Sequence, residues 1–259
     1  DQKVAEQGLR ESERRYRKLL DFVPYPTVVF SLDGRVSYLN PAFTETFGWK
    51  LEELEGGSIP YVPEGYEQET HNAIRKLFQD KRILRHETKR HTKDGRMLDV
   101  VLRAAIFYEA DGEPAGELVI LRDITREKRI AQSNDAMLRI SMALPEYPDL
   151  QELLDYVSSE IKRLLGTEAA LVTLLDEEAG ELYFPGVAYD DTITGKRVKE
   201  TRFPLDQLIA GRVLKSGEPL IVSDVSTDHE IHEARDRNLG YRTHNLLLVP
   251  LRSIHRIIG

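Results

Sequence analysis

Cysteine is absent from all 259 residues, and that absence closes several kinds of chemistry. Disulfides, zinc–thiolate sites, cysteine-ligated iron–sulfur clusters and thiol nucleophiles are excluded. Thioether attachment of a bilin and a cysteinyl–flavin adduct are excluded with them. No run approaches the roughly 18 apolar residues that a membrane-spanning helix needs. There is also no G-x-x-x-x-G-K-[ST] loop, no GGDEF-like run and no kinase nucleotide-binding motif. Positive charge is in deficit: 36 Lys and Arg against 44 Asp and Glu give a net charge of −8. This argues against nucleic acid as a main partner. The chain opens Asp1-Gln2-Lys3, with neither an initiator methionine nor a signal peptide, so it is expected to be a segment of something longer.

What is present suits folded domains. Hydrophobic residues make up 41% and charged residues 31%, and the length fits one large domain or two ordinary ones. Leu9, Tyr16 and Val23 stand seven apart, with Leu19 and Leu20 between them and many charged neighbours. The spacing predicts an amphipathic helix over 9–23, which either pairs with a second copy or packs on its own domain. Pro24 and Pro26 then stop it.

The next hundred residues read as five strands with helices bunched between the second and third. Strand-like runs at 27–31 and 35–39 flank Asp33-Gly34, a hairpin signal because glycine takes positive φ freely. Asn40 before Pro41 is a sound helix start for 42–47. Short helices are expected at 51–54 and 68–78, then strands at 83–92, 97–107 and 116–124. The pattern predicts an antiparallel sheet covered on one side. Residues 125–144 return to helix, with Ile130, Met137 and Leu144 seven apart and Asn134 and Ser141 in the alternate seam positions.

A second unit follows. Asp149 with Glu152 has the look of a capping box. Leu150, Leu153, Leu154, Val157, Ile161 and Leu164 then share a helix face, and Gly166 ends the helix. Strands are expected at 169–175, 181–184, 198–203, 219–225 and 243–251, with helices at 208–214 and 230–238 and a further strand beginning at 254. The fold class is therefore α+β: two domains, each an antiparallel sheet covered by helices, joined by a helical linker.

Residues 12–125 resemble the PAS sensory domain. The resemblance is carried by Tyr16, Leu19-Leu20, Asp33-Gly34, Asn40-Pro41-Ala42-Phe43, Phe47-Gly48-Trp49, Glu53, Leu54 and Gly56. Lys93-Asp94-Gly95-Arg96 and Arg122-Asp123-Ile124-Thr125 complete it. From about residue 137 the chain is similar to a GAF domain, through Leu174-Leu175-Asp176, Phe203-Pro204-Leu205, Ala210-Gly211-Arg212-Val213 and Ser216-Gly217-Glu218-Pro219. Val222-Ser223-Asp224-Val225, Gly240-Tyr241-Arg242-Thr243 and Leu248-Val249-Pro250-Leu251 extend that likeness. The expected organisation is an N-terminal helix at 1–23, a PAS-like domain at 24–125, a helical linker at 126–144 and a GAF-like domain at 145–259. The last is expected to lack the family's final strand and helix.

Such a pair implies the cytoplasmic sensory region of a bacterial signalling protein. Its output would be a histidine kinase, a cyclic-di-GMP enzyme, a phosphatase or a transcriptional activator lying outside this chain. No catalytic residue is expected here. The partners implied are a second copy, through helices 9–23 and 126–144, and the output domain. A non-catalytic scaffold that only holds partners together is the alternative, and a fragment of a kinase or cyclic-di-GMP enzyme a second.

Several residues are candidate pocket residues. His71 falls where haem-binding relatives carry their iron ligand, but the segment to Asp94-Gly95 is shorter than theirs, which argues against haem; a surface histidine or a contact to another small ligand remain open. Trp49 either stacks on a flat ligand or packs to close the domain. In the second unit His229, His232, Arg235, Thr243 and Asn245 surround the segment where relatives close over a cyclic nucleotide or bilin. His229 and His232 are three apart, but no third metal ligand stands at a diagnostic spacing. A cyclic nucleotide could meet Arg235 and the amide groups, while an empty or structural pocket would need no cofactor. Asp123, Ile124 and Thr125 are expected to couple the first sheet to its outgoing helix.

Overall fold

The computed structural model describes residues 2–54, 56–225, 236 and 240–259. It divides into two compact units, Asp1–Ile130 and Ala131–Gly259.

The first unit opens with helix α1 (Gln2–Asp21), longer at its start than the heptad spacing predicts. Strands β1 (Thr27–Ser31) and β2 (Val36–Leu39) form the hairpin around Asp33-Gly34. Helix α2 (Pro41–Phe47) has Asn40 as N-cap and ends on Gly48, whose φ of 86° only glycine adopts without strain. Helices α3 (Leu51–Leu54) and α4 (Glu67–Asp80) follow. Strands β3 (Leu84–His91), β4 (Met97–Tyr108) and β5 (Pro114–Asp123) complete an antiparallel sheet in the order β2-β1-β5-β4-β3. Alternating residues of one sheet face, among them Val28, Val100, Leu102, Ala104, Val119 and Leu121, are buried against Phe43, Phe47, Trp49, Leu54 and Leu77 from the helical side. Phe43 and Phe47 stack at 4.8 Å, and Tyr61 meets Phe47 edge-on at 6.1 Å.

Helix α5 (Thr125–Ala143) starts in the first unit and continues in the second. Helix α6 (Leu150–Leu165) begins on Asp149, whose carboxylate accepts from the Gln151 and Glu152 amides. Strands β6 (Ala169–Asp176), β7 (Glu181–Tyr189) and β8 (Phe203–Pro204) form one antiparallel sheet, and β9 (Leu220–Val222) pairs with β10 (Leu246–Leu248) in another. Helix α6 runs close over β7: a side chain at Gly186 would meet the Leu154 carbonyl at 2.6 Å. Helix α8 (Ala210–Ser216) closes on Gly217.

Three expectations for the second unit change. The strand expected at 198–203 is instead the end of helix α7 (Thr192–Glu200), followed by the two-residue β8. Asp191 caps α7 by accepting from the Ile193 and Thr194 amides, a local signal stronger than the weak apolar alternation beyond it. The strands expected at 219–225 and 243–251 shrink to three residues each. The strand expected from 254 is a bend with one bridge, Arg252 to Ile257, although Leu175 N–H does donate to the Ile258 carbonyl at 3.1 Å. The helix expected at 230–238 lies outside the described residues apart from Asp236.

Candidate functional site

Both helices flanking the first sheet are tied to it by named polar groups. Asn40 is 1% exposed. Its Oδ1 accepts from the Thr27 and Phe43 amides at 2.8 and 2.9 Å. Its Nδ2 donates to the carbonyls of Leu20, Val23 and Tyr25 at 3.3, 3.0 and 3.0 Å. One buried amide thus joins the end of α1, the start of β1 and the first turn of α2. Tyr38 adds a hydroxyl bond to Asp21 at 2.6 Å; burial, with Asp21 second, holds its phenol protonated well above the usual range.

At the other end of the sheet, Asp123 accepts from the Thr125 amide at 2.8 Å and from its hydroxyl at 2.5 Å. The Thr125 hydroxyl oxygen accepts from the Asp99 amide at 2.9 Å, and Ile124 N–H donates to the Asp99 carbonyl at 2.9 Å. Lys128 Nζ reaches Asp99 at 3.2 Å and Glu87 at 3.5 Å. The first turn of α5 is therefore stapled to β4. Asp123 is exposed, whereas Ile124 and Thr125 are half-buried.

The sheet face beneath the helices is apolar except along β3 and at Glu117 of β5. On β3 the inward residues after Leu84 are His86, Thr88 and Arg90. Arg90 is 2% exposed, and its guanidinium lies 5.1 Å from the Tyr61 ring centre. His86 Nε2 pairs with Glu69 of α4 at 2.6 Å. Burial pushes the Glu69 carboxyl up, but bonds from Thr88 and His86 outweigh it, so the net shift is downward. On β5, Glu117 lies opposite both Phe30 and Ile106, which pack on the core. Burial pushes its carboxyl up to about 7.

The candidate residues fall in separate places. Trp49 is buried in the first core, 7% exposed. His71 is exposed on α4. Thr243 is half-buried; its amide and hydroxyl both donate to Asp236, at 2.6 and 3.0 Å. Asn245 is exposed. His229, His232 and Arg235 lie outside the described residues. Tyr241 stands edge-on to Tyr189 at 5.1 Å and donates to Glu168 at 3.0 Å; burial first, then Glu168, pushes its phenol up to about 12. Among the described residues no group of three or more His, Cys, Asp or Glu could hold a metal ion. No described helix is long and apolar enough to cross a membrane.

Asn40 was legible only as a helix cap, and Arg90 and Glu117 carried no motif. For Arg90 the signal was a polar run, 85–91, in a strand whose inner face should be apolar, and Glu117 stood alone in the otherwise apolar run 114–121.

Comparison with known proteins finds two domain families along the chain. The model of the PAS fold matches residues 14–124, and that of the GAF domain matches residues 148–259. The chain is 28% identical over 142 residues to the C4-dicarboxylate transport sensor protein DctS of Rhodobacter capsulatus, covering 52% of this chain and 22% of that one. It spans about a fifth of that curated relative's length. Among solved structures it is similar to a PAS domain from Colwellia psychrerythraea, at 24% identity and a TM-score of 0.40, covering 44% of this chain and 97% of the other. The PAS domain of an HTR-like protein from Haloarcula marismortui is similar at 25% identity and a TM-score of 0.40, covering 47% and 99%. PAS and GAF domains generally act as sensory modules that regulate a signalling output. The two family matches, with the five-stranded sheet and the helix-covered second unit, identify residues 14–124 of this chain as a PAS domain and residues 148–259 as a GAF-like domain.

Proposed function

We propose that the chain is the dimeric sensory part of a signalling protein, in which a change on the PAS sheet is passed to α5 and read by an output domain. The observation that carries this reading is the staple at Asp123, Thr125 and Asp99, which makes the first turn of α5 move with β4 and β5. Exposed apolar residues on the two helices, Tyr16 and Leu19 on α1 and Ile130, Met137 and Met142 on α5, support pairing with a second copy. Two closely balanced helix arrangements would then give the output two states. That a relative is a transport sensor supports the sensory role.

The absence of cysteine makes the test clean. Met137→Cys and Leu19→Cys, each the sole thiol, should cross-link within a dimer under mild oxidation. Sedimentation should show a dimer whose cross-linking pattern shifts when Asp123 is changed to Ala. A strict monomer at high concentration, with no cross-link at either position, sinks the reading.

A scaffold that binds only proteins is favoured by one observation: Phe43, Phe47 and Tyr61 fill the apolar space between helices and sheet. Native mass spectrometry separates the two. A reproducible extra mass that leaves on denaturation supports the sensor, and a bare dimer the scaffold.

A further inference from the structure

Arg90 is the largest of the fully buried side chains in the described chain. A guanidinium keeps its charge inside a protein, so burying one is costly unless an anion faces it. No carboxylate among the described residues forms an ion pair with it. Its Nη1 donates to the Thr88 hydroxyl at 3.1 Å and to the Lys89 carbonyl at 2.8 Å, and Nη2 donates to the Thr70 hydroxyl of α4 at 3.2 Å. These are neutral acceptors, and Nε is buried with no partner at all. Tyr61, its ring centre 5.1 Å away, adds a quadrupole and a neutral hydroxyl contact, not an anion.

We infer that Arg90, with Thr70 and Thr88 beside it, is the anion-holding end of a ligand site under α4, and that the ligand is a small carboxylate. The unpartnered Nε belongs to a planar fork, and a planar two-oxygen group matches such a fork edge. A phosphate dianion fits less well. Glu69 lies within electrostatic reach of Arg90, and Glu117 acts on the same Tyr61, so a second negative charge on the ligand would be repelled. The covering element can yield: of the fourteen residues of α4 only Leu77 is buried. Its ties to β3 near the site are the Thr70 bond to Arg90 and the bonds of Glu69 to His86 and Thr88, so a ligand on Arg90 would act directly on how α4 sits on the sheet. This rests on the sensory reading of the domain and names its ligand class.

The test is calorimetric titration of the whole chain with acetate, propionate and benzoate in turn, each a monoanion, with sulfate as the control anion, up to about 10 mM. At least one carboxylate should bind saturably and sulfate should not. Arg90→Gln should weaken that binding by about tenfold or more, the loss expected for a charge-assisted bond. Arg85→Gln, an exposed cation on the same strand, should stay within about twofold, as expected for a screened surface charge. If Arg90→Gln loses the Trp49 emission of the folded domain, Thr70→Val takes its place, with a loss of about threefold for one neutral hydroxyl contact. No carboxylate binding to the unaltered chain, or binding that none of these changes weakens, overturns the proposal. Sedimentation of the same samples keeps the two readings apart. A dimer that binds no carboxylate overturns only the ligand site, while a monomer with Arg90-dependent binding overturns only the dimer.

Discussion

Helices α1 and α5 are fastened to the same five-stranded sheet by opposite chemistry. The end of α1 is held by the buried, uncharged amide of Asn40, with every donor and acceptor engaged by backbone groups. The start of α5 is held by hydroxyls and charges that water reaches: Asp123, Thr125 and Lys128. A neutral hub in a dry site does not respond to salt or pH, and losing it leaves several backbone groups unsatisfied. An exposed network of charges is weak, screened and adjustable. The fold thus has one fixed attachment and one that can be tuned, and the tunable one leads into the helix proposed to carry the signal.

Breaking the fixed attachment should have the largest effect. Asn40→Ala removes a helix cap and strands the amides and carbonyls it served, and is expected to cost about 3 kcal/mol. Trp49 is the only tryptophan and sits in the first core, so its emission during urea unfolding reports that domain without interference from the second. A loss under about 1 kcal/mol would mean the hub is redundant, since a cap alone is worth that much.

Next comes Glu117, on the strand that feeds α5. Its folded carboxyl is pushed up to about 7, so between the unfolded value near 4.3 and 7 the folded state holds the extra proton. Stability from this group therefore falls as pH rises through that window and is flat above it. Glu117→Gln should stabilise the domain by about 2 kcal/mol at pH 8, and the gain should vanish below about pH 4. A gain that does not change with pH would remove Glu117 as its cause.

How much of this contrast could be read beforehand differs between its halves. The five strands, the hairpin at Asp33-Gly34 and the cap at Asn40 are written in short-range signals, and so is the Asp123-Ile124-Thr125 exit. The five-bond role of Asn40 is not, because three of its partners, Leu20, Val23 and Tyr25, are backbone carbonyls whose convergence exists only once the chain has turned. Arg90 shows the same limit. It stands in the polar run 85–91 with no motif around it, and only the register with Leu98 turns it inward. In the second unit, α7 was missed because Gly195 and the polar residues around it hide the helical period, although Asp191 marks its start. Of the pocket candidates, Thr243 and Asn245 come from local likeness alone, and the structure sets one against Asp236 and leaves the other in solvent.

Asp123 tests the tunable side directly. Asp123→Ala removes the acceptor for the Thr125 amide and hydroxyl and should cost about 1 kcal/mol, as for other helix caps. Asp123→Asn, which can still accept, should recover most of it. Hydrogen exchange should localise the change to the first turn of α5, at 125–128. Protection lost equally across the whole sheet would mean that Asp123 supports the domain rather than the attachment.

The smallest expected effect sharpens the comparison most. Lys128 joins α5 to Asp99 and Glu87 across the surface. The bond to Asp99 raises its ammonium above the usual lysine range, so its contribution is complete below about pH 10 and is lost only as pH climbs through the folded value. Lys128→Met should therefore cost the same at pH 6 and pH 8, about 0.3 kcal/mol, and nothing in 1 M salt, where screening reaches within about 3 Å. The Asn40→Ala loss should be unchanged by that salt. Should the two losses respond to salt alike, the distinction between a fixed and a tunable attachment would fail, and α5 would have no more freedom on this sheet than α1.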